Sequence, residues 1–186
     1  MVSRTSSLME FKELTRLCLD EFYTHDFYLL ERNFGKGVGE RAIVFRFSHY
    51  LQLRTRPYFV DCDYNSSLEF WTDSHGRVHG EERHGKVIVD SDGRPRKRFV
   101  DIIVHQRDYQ SDNDLICFEF KKWNNAKRDE IKKDRNNLRV LTSQYGYFYG
   151  FHVVIHRQKS KSKWTIFQNG VPIEENRLIF ENEAQN

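Results

Sequence analysis

Two apolar runs constrain this chain more than anything else in it: Val100-Asp101-Ile102-Ile103-Val104 and Leu115-Ile116-Cys117-Phe118-Glu119-Phe120-Lys121. Both are rich in β-branched and aromatic residues, and the polar segment from Gln106 to Asp114 separates them. They read as an antiparallel hairpin with a longish loop. Pairing symmetric about that loop joins residues whose numbers sum to 220, which sets Asp101 opposite Glu119. Side chains alternate along a strand, so Asp101, Ile103 and His105 share one face, and Glu119 and Lys121 share the face that meets them. Opposed carboxylates with Cβ atoms roughly 4.5 to 5.5 Å apart repel each other. A proton or a cation between them relieves that repulsion, and a divalent ion is the natural candidate.

A chain of 186 residues is long enough for one domain with a proper core. With 38% hydrophobic and 31% charged residues it falls in the soluble globular class rather than among disordered or membrane chains. No run has the apolar length needed to span a bilayer, and the start, MVSRTSSLMEFKELTR, lacks the uninterrupted apolar region of a secretory signal. The expectation is a cytoplasmic protein with no membrane partner. Cys18, Cys62 and Cys117 are odd in number and show no close pairing pattern, so they read as reduced thiols rather than a disulfide or zinc framework.

The net charge of +3 is small but unevenly spread. From Lys121 to Arg139 there are eight basic residues (Lys121, Lys122, Lys127, Arg128, Lys132, Lys133, Arg135, Arg139) against three acidic ones (Asp129, Glu130, Asp134). Arg94, Arg96, Lys97 and Arg98 form a second cluster before the hairpin, and Arg157, Lys159, Lys161 and Lys163 a third. Each suits a phosphate-rich partner, although lysine-rich helix faces are also ordinary solvated surfaces. Lying close in sequence to the paired carboxylates, Arg96, Lys97, Arg98, Lys122, Lys127, Lys132, Lys133 and Arg135 are the candidate nucleic-acid contacts.

Along the chain, residues 8 to 31 carry helical spacing, with a break expected at Thr24-His25. Gly35, Gly37 and Gly39 mark a turn before a second helix, Glu40 to about Leu53, whose apolar stripe is Ile43, Val44, Phe47 and Leu51. Glu40 projects onto the middle of that stripe, either as a functional acid or as an N-terminal carboxylate favoured by the helix dipole. Tyr58 to Tyr64 reads as a strand, and the span from Asn65 to Arg98 is polar and glycine-punctuated, with Val87-Ile88-Val89 a short strand inside it. After the hairpin come a helix from about Ala126 to Ser143, with an inner stripe of Ile131, Leu138, Leu141 and Thr142 and Asp134 alongside, and a strand from Gly146 to His156. Trp164 to Phe167 is a possible extra strand. The expected fold is α/β: a mixed central sheet flanked by helices in the order helix, strand, strand, strand, helix, strand. It divides into a helical lead-in (1–36), a core (37–156) and a C-terminal tail (157–186).

That order, with Glu40 on the first core helix, Asp101 on the second core strand and Glu119-Phe120-Lys121 on the third, resembles the PD-(D/E)XK nuclease superfamily, also called restriction-endonuclease-like. The resemblance runs from about Gly39 to His156. The Lys121-Lys122 pair, the basic helix with Asp134, Leu138 and Leu141-Thr142, and Tyr149-Gly150-Phe151 also look like small uncharacterised bacterial proteins assigned to that superfamily. One departure is plain: Val100 stands where the family's proline precedes the aspartate.

The resemblance implies a metal-dependent nuclease, with DNA the expected substrate, Glu40, Asp101, Glu119 and Lys121 as catalytic residues, and Mg2+ (or Mn2+) as cofactor. Asp101 and Glu119 would be metal ligands, consistent with the preference of magnesium for one or two carboxylates completed by water and phosphate. The carbonyl of Phe120 joins them by analogy with the family. Lys121 would position or deprotonate the attacking water. Cleavage would leave a 5′-phosphate and a 3′-hydroxyl, and nucleases of this type often act as homodimers.

Each residue also has a plainer reading. Asp101 and Glu119 can form a metal-free ion cluster with Lys121 and Arg96 or Arg98. Asp134 reads as an ion-pair partner of a nearby lysine, and His105 as a polar residue at a loop end. Asp61 and Asp63 share a strand face as an additional acidic site or as structural caps, and Trp123 and Tyr109 stack on bases or merely pack. The competing functions are a nucleic-acid-binding protein that does not cleave and a protein-interaction module.

Overall fold

The computed structural model describes residues 3, 5–31, 39–64, 67–72, 75, 78–83, 87–89, 95–97, 99–106 and 114–177. Its first helix, α1 (Leu8–His25), starts at a capping box: Ser7 Oγ accepts the Glu10 N–H and Glu10 Oε2 accepts the Ser7 N–H at 2.7 Å. Phe11, Leu14, Thr15, Cys18, Leu19 and Phe22 recur at three- and four-residue spacing and are buried. The helix stops at Asp26, one residue beyond the expected break, and a 3₁₀ turn (Phe27–Leu30) follows. Asp26 is buried and accepts hydrogen bonds from Arg46 Nε and Tyr50 Oη, so the end of α1 is fastened to the next helix, α2 (Glu40–Gln52). Contact of α2 with the sheet runs through Ile43, Val44, Phe47 and Leu51, the stripe the sequence predicts.

Among the described residues the main sheet has six strands. In chain order the strands are β1 (Phe59–Tyr64), β2 (Ser67–Thr72), β3 (Val78–Arg83), β4 (Val87–Val89), β5 (Pro95–Lys97), β6 (Val100–His105), β7 (Asp114–Lys122), β8 (Tyr149–Ile155), β9 (Lys163–Gln168) and β10 (Val171–Arg177). Six of them line up as β1-β6-β7-β8-β9-β10, while β2-β3 and β4-β5 form two separate two-stranded ribbons. The β7–β8 pair is parallel, and helix α3 (Arg128–Gln144) makes the crossover between those strands. The other pairings in the sheet are antiparallel.

The hairpin register is the expected one, with Ile102 opposite Phe118, Ile103 opposite Cys117 and Val104 opposite Ile116 before an irregularity at His105. Alternation then sorts the side chains. Ile102, Val104, Phe118, Phe120 and Phe151 face α1 and α2, where Phe47 meets Phe120 and Phe118 at ring separations of 4.8 and 5.4 Å. Ile103 and Cys117 face the other way and pack with Leu138 and Leu141 of α3. Both faces of β7 are therefore covered, which explains why its run is apolar almost throughout.

The segment read as a C-terminal tail belongs to the sheet through residue 177, because β9 and β10 close a hairpin at Asn169-Gly170, both with positive φ. An Asn-Gly pair between two β-rich runs is a strong signal for such a turn. Among the described residues no helix is long and apolar enough to cross a membrane.

Candidate active site

Five elements bring polar groups to one end of the sheet on the α3 side. Asp101 comes from β6, Glu119 and Lys121 from β7, Asp134 and Asn137 from α3, His152 from β8, and Glu40 from the first turn of α2. In β7 the alternation puts Glu119 and Lys121 on the face opposite the Phe118 and Phe120 rings. In α3, Asp134, Asn137, Leu138 and Leu141 fall on one stripe, so the helix buries an acid and an amide at its outer end and leucines further in.

Asp101 Oδ2 accepts the Phe120 N–H at 2.7 Å, taking over from the backbone ladder just past the Ile102–Phe118 pair. Glu119 Oε1 accepts a hydrogen bond from Asn137 Nδ2 at 3.0 Å and is buried. Lys121 Nζ bridges two helices, 3.0 Å from Glu40 Oε1 and 3.1 Å from Asp134 Oδ2. The second oxygen of Glu40 accepts the Lys122 N–H at 3.0 Å, so this one carboxylate clasps the end of β7 twice. His152 Nε2 stands 4.0 Å from Asp134 Oδ2, and neither ring nitrogen of His152 has a hydrogen-bond partner.

Charge is out of balance here. Four carboxylates, those of Glu40, Asp101, Glu119 and Asp134, share one ammonium. Burial pushes the Asp101 carboxyl up to about 6, against the pull of the Phe120 N–H and Lys121. Glu119 is driven well above the usual carboxylate range, first by burial and then by the charges of Asp101 and Asp134. Asp134 is also raised by burial, with Lys121 opposing. Lys121 moves the other way from what burial alone would do, because Asp134 and Glu40 hold its proton. Burial, with Arg135 and Lys121 nearby, lowers His152 to about 4, so its ring is neutral at ordinary pH. Asp101, Glu119 and Asp134 thus hold protons more tightly than free carboxyls do.

Among the described residues no three His, Cys, Asp or Glu side chains form a ready-made ligand set for a metal ion. The donors at Asp101 and Glu119 still fit Mg2+ or Mn2+ in kind, being hard carboxylate oxygens, since magnesium draws the rest of its shell from water and substrate. The Phe120 N–H points toward β6, and a strand residue sends its carbonyl to the same side as its N–H, so that carbonyl is also on the β6 side of β7.

The structure thus brings Glu40, Asp101, Glu119, Phe120 and Lys121 together, with Glu40 engaging Lys121 and the β7 backbone. The expected nucleic-acid contacts divide. Lys127, Lys132 and Lys133 are exposed at the start and along the outside of α3. Arg135 is spent tying α3 to Thr165 of β9 and Glu175 of β10. Lys122 is a correction: it is buried, and its ammonium donates to the Leu29 carbonyl at 3.1 Å. Position 122 shares the face of Phe118 and Phe120, where only a lysine whose head finds a carbonyl can be buried. Arg96 and Lys97 fall in β5, apart from the main sheet, and Arg98 and Tyr109 lie outside the described residues.

Asp134 has the lysine partner expected of it. His105 ends β6 where the loop begins, as expected, and it is buried there with Nε2 2.7 Å from Asp61 Oδ2, which makes Asp61 part of a β1–β6 contact. Asp63 lies 3.7 Å from Arg41. Sequence reasoning missed Asn137 and His152. Asn137 was legible as the residue three beyond Asp134 on the buried stripe, whereas His152 carries no local signal, since its role follows from the β7–β8 register that sets it beside Glu119.

No family model, curated protein or solved structure matches the chain.

Proposed function

We propose that this protein is a metal-dependent nuclease of the PD-(D/E)XK, restriction-endonuclease-like type, hydrolysing phosphodiester bonds of nucleic acid, with DNA as its substrate. The observation that carries the reading is the pair of raised carboxyls, Asp101 and Glu119, on adjoining strands with the ammonium of Lys121 beside them. The order α2-β1-β6-β7-α3-β8, with β7 and β8 parallel, is compatible with that fold and adds support.

Asp101, Glu119 and the Phe120 carbonyl would hold Mg2+ or Mn2+, which would supply polarisation of the scissile phosphate and a more acidic water. Lys121 keeps its proton under the influence of Glu40 and Asp134, so it acts as a donor. It orients the attacking water and offsets charge growing on the phosphate. Glu40 fixes that ammonium in place and ties it to the end of β7. Asn137 keeps the Glu119 side chain from rotating away. The exposed Lys127, Lys132 and Lys133 supply sequence-independent attraction for the phosphate backbone.

One observation favours a second reading. Lys121 is fully engaged by Glu40 and Asp134, as in a structural ion cluster of a nucleic-acid-binding protein that does not cut. Incubation with supercoiled, linear and single-stranded DNA and with RNA, in magnesium, manganese or chelator, separates the two. Metal-dependent cutting that leaves 5′-phosphate and 3′-hydroxyl ends supports the nuclease; salt-sensitive binding with no cutting on any substrate supports the second.

A further inference from the structure

A cleft of about 660 Å³ opens where β7 and β8 end, lined by Phe27, Trp123, His156, Arg157, Gln158 and Lys161. Its size is within the range of small-ligand pockets, roughly 300 to 1,000 Å³. Ligands of α/β sheets commonly gather outside the carboxyl ends of parallel strands, and β7 and β8 are the parallel pair here.

Three features specify what would fill it. The walls offer flat aromatic surface: the Trp123 and His156 rings lie 5.2 Å apart and tilted at 39°, with Phe27 nearby. The Trp123 indole N–H is buried and has no hydrogen-bond partner in the protein, so the part of this side chain offered to the cleft is its ring surface. Donors outnumber acceptors. His156 Nδ1 accepts the Gln158 N–H at 2.8 Å, which in the neutral ring leaves Nε2 as a donor. Arg157 and Lys161 are exposed and add two cations. The ligand must therefore be flat, rich in acceptors and negatively charged at one edge.

We propose that this cleft is a nucleobase subsite, taking one unpaired base of a nucleic-acid strand against the Trp123 indole while Arg157 and Lys161 hold the neighbouring phosphates. The link to cleavage rests on the nuclease reading above. Trp123 lies in the turn just past the end of β7 and two residues beyond Lys121, so the chain between them spans at most about 7 Å. A strand whose phosphate lies at Lys121 thus delivers an adjacent base to the cleft. The backbone holds this geometry, since the Trp123 N–H donates to the Ile155 carbonyl at 3.0 Å.

The test is fluorescence anisotropy in chelator with a short labelled oligothymidylate and an abasic oligomer of the same length and charge. Wild type is expected to bind the thymidylate more tightly, by roughly 5- to 150-fold, the usual worth of stacking one base on an aromatic ring. Trp123→Ala should erase that preference and Trp123→Phe should keep most of it. Arg157→Ala with Lys161→Ala, both at exposed positions, should leave the preference and lower the salt slope by about 1.4, as expected for two single-strand phosphate contacts. Equal binding of the two oligomers, a preference that survives Trp123→Ala, or an unchanged salt slope in the double variant overturns the proposal. So does displacement by thymidine monophosphate at the concentration where the oligomer itself competes, which would mark a mononucleotide site. A base preference without metal-dependent cutting leaves the subsite standing and removes the nuclease reading, whereas cutting without a base preference removes the subsite alone.

Discussion

The Asp101 carboxylate accepts the Phe120 N–H at 2.7 Å at the point where the β6–β7 backbone ladder gives out. A side chain replaces the next rung, so the two strands part around a carboxylate instead of a peptide. This opens the sheet end to which Glu119, Lys121 and Glu40 are directed, and it sets a buried acid beside a second one.

The first prediction concerns proton linkage at that acid. Asp101 has a folded-state pKa of about 6 against an ordinary value of 3.8. A raised carboxyl favours the folded state fully below the unfolded value, and that contribution is lost as the pH rises through the folded value. Ionised Asp101 therefore burdens the metal-free protein at neutral pH. Asp101→Asn, which keeps an acceptor for the Phe120 N–H, should stabilise the protein in chelator by up to about 3 kcal/mol near pH 8, with the gain gone near pH 4. Urea denaturation at the two pH values checks this; a loss of stability at pH 8 would contradict it.

Divalent cations should do what the amide does. Mn2+ or Mg2+ at a hundred times its dissociation constant adds about 2.7 kcal/mol to a protein that binds it only when folded. Thermal melts should show this rise in wild type and none in Asp101→Asn with Glu119→Gln. The rise should fade as the pH drops below about 6, because protons compete for the same oxygens. Equal stabilisation of the double variant would place the ion elsewhere.

Lys121 is predicted to act as a keystone between α2 and α3. Lys121→Met leaves Glu40 and Asp134 facing each other without a cation, at a cost of about 3 kcal/mol. Adding Glu40→Gln and Asp134→Asn should recover most of that loss, so that the triple variant is far from the sum of its parts. Additive effects in chemical denaturation would show that the three groups do not interact.

Gly150 lets α3 lie against β8. A Cβ there would come within 3.1 and 3.2 Å of Leu138 and within 3.2 Å of Thr142, both packed side chains on the stripe that carries Asp134 and Asn137. Gly150→Ala should cost about 1 to 3 kcal/mol by overpacking. It should also weaken Mn2+ binding, since Asn137 would shift from Glu119. An unchanged denaturation midpoint would argue against the close approach.

Much of this was legible in the sequence. The alternation in both runs of the hairpin admits one register that buries Ile102 with Phe118 and Ile103 with Cys117, and that register is the one found. Glu40 could be picked out because an acid on an apolar helix stripe needs a partner. The partner, Lys121, is distant in sequence and depends on how α2 crosses the sheet, so only the assembled structure supplies it. Lys122 misled because its charge suggests surface, although its place on the Phe118 and Phe120 face already implied burial. Of the β9–β10 hairpin only the strand around Trp164 to Phe167 was expected, although Asn169-Gly170 is a local turn signal that needs no tertiary information.

The most direct measurement of the central claim is nicking of supercoiled plasmid by wild type, Asp101→Asn and Lys121→Met, each in magnesium, in manganese and in chelator, with folding of each variant verified by circular dichroism. The expected result is metal-dependent nicking by wild type and its loss in both folded variants. Nicking that persists in Asp101→Asn, or that proceeds in chelator, would contradict a role for Asp101 and Glu119 as the metal-binding heart of the site. The absence of nicking by wild type with either ion would leave the cluster a structural one.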